Sequence, residues 1–115
     1  MNKYSNSKFI PLTEATYYIL LALTSPKHGY AVMQEAEEIS EGTLRLAPGT
    51  LYGAFNTLEE GKLIQMTGKE GRRKIYKITE KGAGVLLEQI RRLRIMVRSA
   101  EKNKEIWNNY PGKEG

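Results

Sequence analysis

The sequence predicts a mainly helical α+β domain: three short helices, one small β-hairpin and a long closing helix. Three observations carry this. Apolar residues recur at helical spacing in four segments. Two short apolar runs, Leu63–Met66 and Lys74–Ile78, flank a turn with two glycines. The last segment repeats apolar residues at 4-3-4-3 spacing, a heptad seam. The chain's 115 residues, 40% of them hydrophobic, suffice for one domain with a small core.

Residues 1–9 are polar and are expected to form a flexible lead-in. Thr13 is placed to cap a first helix over about 13–24, with Glu14 in the first turn and Ala15, Ile19, Ala22 and Leu23 on one face. Ser25-Pro26-Lys27-His28-Gly29 breaks it. A second helix is expected from His28 to Ser40, with Val32, Ala36 and Ile39 buried and Glu35, Glu37 and Glu38 in water. Glu41-Gly42 ends it, and Thr43–Leu46 could form a short strand. Pro48 opens a third helix, where proline suits the first position. Leu51, Phe55 and Leu58 face the core; Gly49, Tyr52, Gly53, Asn56 and Thr57 make the opposite face; Gly61 closes the helix. The hairpin follows, with Thr67–Arg73 as its basic tip. Thr79 caps a last helix over 80–107 whose seam is Leu86, Ile90, Leu93, Val97 and Ala100. Lys104 interrupts that seam and Trp107 resumes it. Residues 108–115 are expected to be a disordered tail. The implied organisation is a reading domain over 10–79 and a dimerisation helix over 80–107.

Composition excludes several chemistries. There is no cysteine, hence no disulfide, zinc-thiolate site or cysteine nucleophile. His28 is the one histidine and has no second ligand at metal spacing, so no metal or cofactor is expected. No P-loop, G-x-G-x-x-G after a strand, or G-x-S-x-G occurs, and no enzyme is expected. The longest apolar run, Tyr17–Leu23, is too short for a spanning helix or a signal peptide, which points to the cytoplasm and away from membranes. Charge is uneven. Residues 1–60 hold 4 Lys/Arg against 7 Glu, and residues 61–115 hold 14 against 6. A basic half on a small domain points to an anionic partner, nucleic acid before a membrane surface.

The order helix, helix, strand, helix, hairpin, long helix is that of a winged helix-turn-helix. A third helix with small outward residues can enter the major groove. A basic hairpin beside it can follow phosphates. A closing heptad helix can pair with its copy and space two half-sites.

The residues themselves resemble a family. His28-Gly29-Tyr30, Gly49-Thr50-Leu51-Tyr52, Leu58-Glu59 with Gly61 and Leu63-Ile64, and Arg72 through Gly82 stand in the order and spacing of the PadR-like transcriptional regulators. Leu12-Thr13 and Tyr17–Leu23 fit as well, and the resemblance covers about residues 10–107. The short last helix is similar to the small subgroup of that family. The resemblance implies a homodimeric repressor on a palindromic operator in duplex DNA, released by a small aromatic or apolar ligand near the dimer interface. Two departures stand out. Gly53 replaces the proline of many relatives. Leu93 occupies the place where some small relatives stack flat drugs on a tryptophan, while Trp107 lies about four turns on.

Expected DNA contacts are Thr50, Tyr52, Asn56 and Thr57 on the third helix and Lys69, Arg72, Arg73 and Lys74 on the wing. Asparagine can pair an adenine edge, and hydroxyls suit phosphates. Against this, Tyr52 could pack on the wing and Asn56 be merely solvated. His28 sits at a helix start near a phosphate; Tyr30 either joins it or packs between helices. Dimer contacts are Leu86, Ile90, Leu93, Val97 and Ala100. A ligand cavity would be lined by Tyr18, Leu93, Met96 and Val97. Tyr17 and Tyr18 are adjacent, so one belongs to the core and the other to the cavity or the DNA. Arg91, Arg92, Arg94 and Arg98 form the wet side of the last helix. The rival reading is a ligand-sensing or drug-binding dimer that acts through a protein partner.

Overall fold

The structure, a computed structural model, describes Asn2–Tyr110. Eight elements follow in order: α1 Glu14–Ala22, β1 Lys27–His28, α2 Gly29–Ile39, α3 Pro48–Glu60, β2 Ile64–Glu70, β3 Arg73–Ile78, α4 Glu80–Glu101 and α5 Lys104–Asn108. The strands form one antiparallel sheet in the order β1-β3-β2. The expected α+β class with a small hairpin wing is what the chain adopts.

Each helix starts where its cap chemistry allows. Thr13 Oγ1 accepts the Thr16 N–H at 3.1 Å, and Thr79 Oγ1 accepts the Gly82 N–H at 3.0 Å. Pro48 opens α3, which has no side-chain cap. Thr79 also donates its hydroxyl to the Lys62 carbonyl at 2.7 Å, which seats α4 on the start of the hairpin. The core gathers Ile19, Leu20 and Leu23 from α1 and its cap, Val32 from α2, Leu51, Phe55 and Leu58 from α3, Leu63, Ile64 and Tyr76 around the hairpin, and Val85 and Leu86 from α4.

Several expectations need correction. The third strand is not Thr43–Leu46, which stays irregular. There, Ser40 Oγ accepts the Leu44 N–H at 3.1 Å and Thr43 donates to the Ser40 carbonyl at 2.8 Å, so side chains satisfy the loop's backbone. Lys27–His28, expected to break the first helix and, at His28, to open the second, takes the free edge of β3 instead, Lys27 opposite Tyr76 and His28 opposite Ile75. Ile39, expected in the core, is 39% exposed at the end of α2. The hairpin is longer than its apolar runs: β2 extends to Glu70, and Gly71-Arg72 form a two-residue turn with Gly71 at φ 63°. Glycine first in such a turn supplies the positive φ that lets the strands twist together. Thr67 is the extra residue of a bulge between Met66 and Gly68.

Gly61 does end α3, but at an ordinary φ of −77°. The left-handed residue is Lys62, at φ 62°. Gly61 lacks a side chain because the Phe9 ring lies where a Cβ would be. The lead-in is therefore not loose. Tyr4 lies across Gly84 of α4, Asn2 Nδ2 donates to the Gly84 carbonyl at 2.9 Å, and the Leu12 N–H donates to Gln89 Oε1 at 2.7 Å. The last helix is broken before 107. Asn103 leaves helical geometry between α4 and α5, and Trp107 turns back so that its Nε1–H donates to the Ala100 carbonyl at 2.7 Å. Most of the tail expected at 108–115 lies outside the described residues.

Candidate nucleic-acid interface

One cleft opens between the start of α2, the outer flank of α3 and the hairpin. It is lined by His28, Gly29, Tyr30, Tyr52, Phe55, Asn56, Arg72, Arg73, Lys74 and Tyr76. Seven of these are residues that the sequence singled out for DNA: His28, Tyr30, Tyr52, Asn56, Arg72, Arg73 and Lys74. No acidic residue is among the lining.

Local structure explains the convergence. His28 ends β1 and caps α2: the Ala31 N–H donates to its Nδ1 at 3.3 Å. Pairing of β1 with β3 brings this ring to the wing, where Arg73 Nη1 lies 3.2 Å from Nε2. The Arg73 guanidinium stands 6.0 Å from the centre of the Tyr30 ring, at the limit of a cation–π contact. Tyr30 is thus a surface residue, 53% exposed, and not a core tyrosine between helices. Tyr52 lies on the start of α2, where a Cβ at Gly29 would come within 2.8 Å of its hydroxyl, and edge-on to Phe55 at 6.0 Å. Asn56 is exposed one turn further along the same flank.

Sequence reasoning missed the floor of the cleft. Phe55 and Tyr76 meet at 4.9 Å with their ring planes tilted by 56°, and Gly29 gives Tyr52 room. Burial, then the nearby charge of Glu59 and the Tyr52 phenol, push the Tyr76 hydroxyl above its ordinary pKa, so it stays a neutral hydrogen-bonding group. The signal for Gly29 was its place between two polar residues at a helix start. The signal for Tyr76 was the alternation along β3.

Three expected contacts lie elsewhere. Thr50 is exposed in the first turns of α3, outside the cleft. Thr57 is on the opposite flank of α3, beside Lys8, Phe9, Thr13 and Thr16, and its hydroxyl donates to the Gly53 carbonyl at 3.3 Å. Lys69 is on β2 opposite Lys74, not in the turn.

The dimer and ligand expectations divide too. Leu86 is buried in the protomer's own core, and Ile90 packs against that core. Leu93 is half-buried; Val97 and Ala100 are exposed. Tyr18 and Leu93 share a groove with Leu12, Glu14, Tyr17, Thr43 and Gln89. Met96 instead lines a separate hollow beside Ser5 and Arg92, and Val97 lines neither. Tyr17 and Tyr18 are both half-buried and meet edge to face at 5.1 Å, contrary to the expectation that adjacent residues part. Tyr17 is the one packed on the core. Among the described residues, no cluster of three metal-binding side chains occurs and no helix is long and apolar enough to cross a membrane.

Two consecutive helices, α2 and α3, flanked by a basic hairpin define a winged helix-turn-helix protein. The chain belongs to the transcriptional regulator PadR-like family, whose model matches residues 19–88. It is similar to the transcriptional regulator YqjI of Escherichia coli strain K12, 34% identical over 61 residues, covering 53% of this chain and 30% of YqjI. The chain spans 21% and 30% of the first two curated relatives that it matches. Among solved structures, a PadR family transcriptional regulator from Eggerthella lenta has a TM-score of 0.65 and 25% identity over 78% of this chain and 80% of its own. A transcriptional regulator from Clostridium thermocellum shares the fold, with a TM-score of 0.66 and 24% identity over 84% of this chain and 94% of its own. The family is one of regulators, not of enzymes.

Proposed function

We propose that this chain is a repressor that binds a two-fold symmetric operator in duplex DNA as a homodimer. The observation that carries the reading is the acid-free basic cleft beside the exposed flank of α3. With α3 in the major groove, Tyr52 and Asn56 meet base edges, and Arg72, Arg73, Lys74 and Lys69 follow the phosphates. Thr50 and Thr57 face the other groove wall. Glu59 and Glu60 stand in the last turn of α3, so the turns before them enter the DNA.

The pairing surface is a continuation of a buried stripe. Gly82, Val85, Leu86 and Gln89 face the protomer core; at the same helical spacing Leu93, Met96, Val97 and Ala100 run on past it. Val97 is 56% and Met96 63% exposed. Covering what remains exposed of each such side chain contributes about 1–2 kcal/mol, and a second α4 presents the matching stripe. The Tyr17–Tyr18–Leu93 groove beside this stripe suits a small aromatic or apolar ligand that would alter half-site spacing and release the operator.

The test is selection of random duplex DNA on the purified protein. The expected product is a two-fold motif with half-sites about one helical turn apart. Bulk, salt-sensitive retention with no enriched motif overturns the operator reading and favours a ligand sensor acting through a protein partner.

A further inference from the structure

We propose that the flank of α3 turned away from the wing is a second phosphate site, in which Lys8 of the lead-in and the hydroxyls of Thr16 and Thr57 hold the DNA backbone opposite the one that the wing follows. The inference rests on the DNA-binding reading above and adds a site on the other wall of the major groove.

The exposed face of α3 is wide. At about 100° per residue, Tyr52 marks one margin and Thr50 and Thr57 the other, with Gly49 and Gly53 between them. The Tyr52 margin borders the basic cleft. The Thr57 margin borders a second hollow, lined also by Lys8, Thr13, Thr16 and Gly53. These residues come from three parts of the chain: the lead-in, the start of α1 and the middle of α3. A Cβ at Gly49 or Gly53 would meet nothing within 4 Å, so the crest between the two margins is bare backbone. The major groove is about 12 Å wide, with one phosphate backbone along each side. A helix seated in it on such a crest brings each margin to its own wall.

The second hollow has the chemistry of an anion site. Lys8 is exposed and belongs to none of the ion pairs among the described residues. Its ammonium stands 5.4 Å from the centre of the Phe9 ring, and that ring fills the space beside Gly61. The lysine is thereby held at the flank of α3. Thr13 donates its hydroxyl to Thr16 Oγ1 at 2.8 Å, which leaves the Thr16 hydrogen to give to an outside oxygen. Thr57 donates to the Gly53 carbonyl over a long 3.3 Å, a bond that a charged oxygen outcompetes. Two carboxylates stand nearby, and neither lines this hollow. Glu14 lines the groove of Tyr17 and Tyr18 on α1. Glu60 borders the next depression with Lys8 and Gly61, so the phosphate belongs on the Gly53 side of Lys8.

Binding of wild type, Lys8→Ala, Lys8→Arg, Thr16→Val, Thr57→Val and Arg73→Ala is followed by fluorescence anisotropy across a salt series, with the selected duplex and a random one; circular dichroism checks folding. Ethylation interference on the selected duplex maps the phosphates that each protein needs. Lys8→Ala is expected to lower the slope of log K on log salt by about 0.9 for each protomer bound. It is also expected to lose interference at a phosphate on the strand opposite to the one that Arg73→Ala affects. Lys8→Arg is expected to keep the wild-type slope. Thr16→Val and Thr57→Val are each expected to weaken binding about fivefold with the slope unchanged. A folded Lys8→Ala with the wild-type slope, a lost phosphate on the wing's own strand, or threonine variants that both bind like wild type each overturns the proposal. Wild type that retains no duplex at all overturns the DNA-binding reading itself, and is distinguished by that.

Discussion

Single residues in this chain carry opposite duties for one amino-acid type. Gly53 and Gly82 are both helical glycines. A Cβ at Gly53 meets nothing within 4 Å, whereas at Gly82 it would strike the Leu63 carbonyl and the Ile78 side chain. Gly53→Ala is therefore expected to stabilise the fold by about 1 kcal/mol through helix propensity. Gly82→Ala is expected to destabilise it by about 1–3 kcal/mol through overpacking. Thermal melts followed by circular dichroism read both signs. If the bare surface at Gly53 serves close approach to DNA, the stabilised variant binds its operator more weakly. At the rim, Asn56→Ala is expected to relax base preference at one position per half-site, read by repeating the selection with the variant. Equal losses on operator and random DNA would remove that role.

At the scale of elements, α4 carries a buried carboxylate that is paired within the helix itself. Glu88 is 1% exposed and accepts two hydrogen bonds from Arg91, 3.0 Å from Nε and 2.8 Å from Nη2. Those bonds, outweighing burial, hold its carboxyl below the ordinary value of 4.5. A carboxyl depressed in the folded state contributes its full stability above the unfolded value. The contribution is lost as pH falls through the folded value. Melting temperature is thus expected to fall as the pH drops below the ordinary value of 4.5, and to fall less steeply in Glu88→Gln, which starts less stable at pH 7. Identical pH profiles for the two proteins would show that the pair carries no such linkage. The Arg-rich side of α4 was legible as a wet face, but not that Arg91 serves a buried partner three residues back.

For the whole molecule, the 55 Å long axis reflects a packed body with a projecting helix. Every residue of α4 from Arg94 on is exposed in the single chain, apolar ones included. Val97→Glu is expected to give a folded monomer, because this position touches no core of its own. Sedimentation would report the mass and circular dichroism the retained helix. Operator affinity should collapse with dimerisation, since two linked half-site contacts become separate ones. A Val97→Glu variant that stays dimeric would move the interface away from this stripe.

The sequence by itself determined the helix starts at Thr13, Pro48 and Thr79, the core faces of α3, the existence of the hairpin, and the polar and basic residues of the cleft. These follow from local rules: caps, periodicity and turn glycines act within a few residues of one another. Tertiary structure alone decided the rest. β1 exists only because β3, some 50 residues later, offers an unpaired edge. The lead-in packs only because Gly61 and Gly84 leave hollows for Phe9 and Tyr4. Leu86 lies in the protomer core and Val97 outside it, although both obey one heptad, because the domain ends between them. Periodicity assigns a residue to a face of its helix; what covers that face depends on neighbours brought from far along the chain.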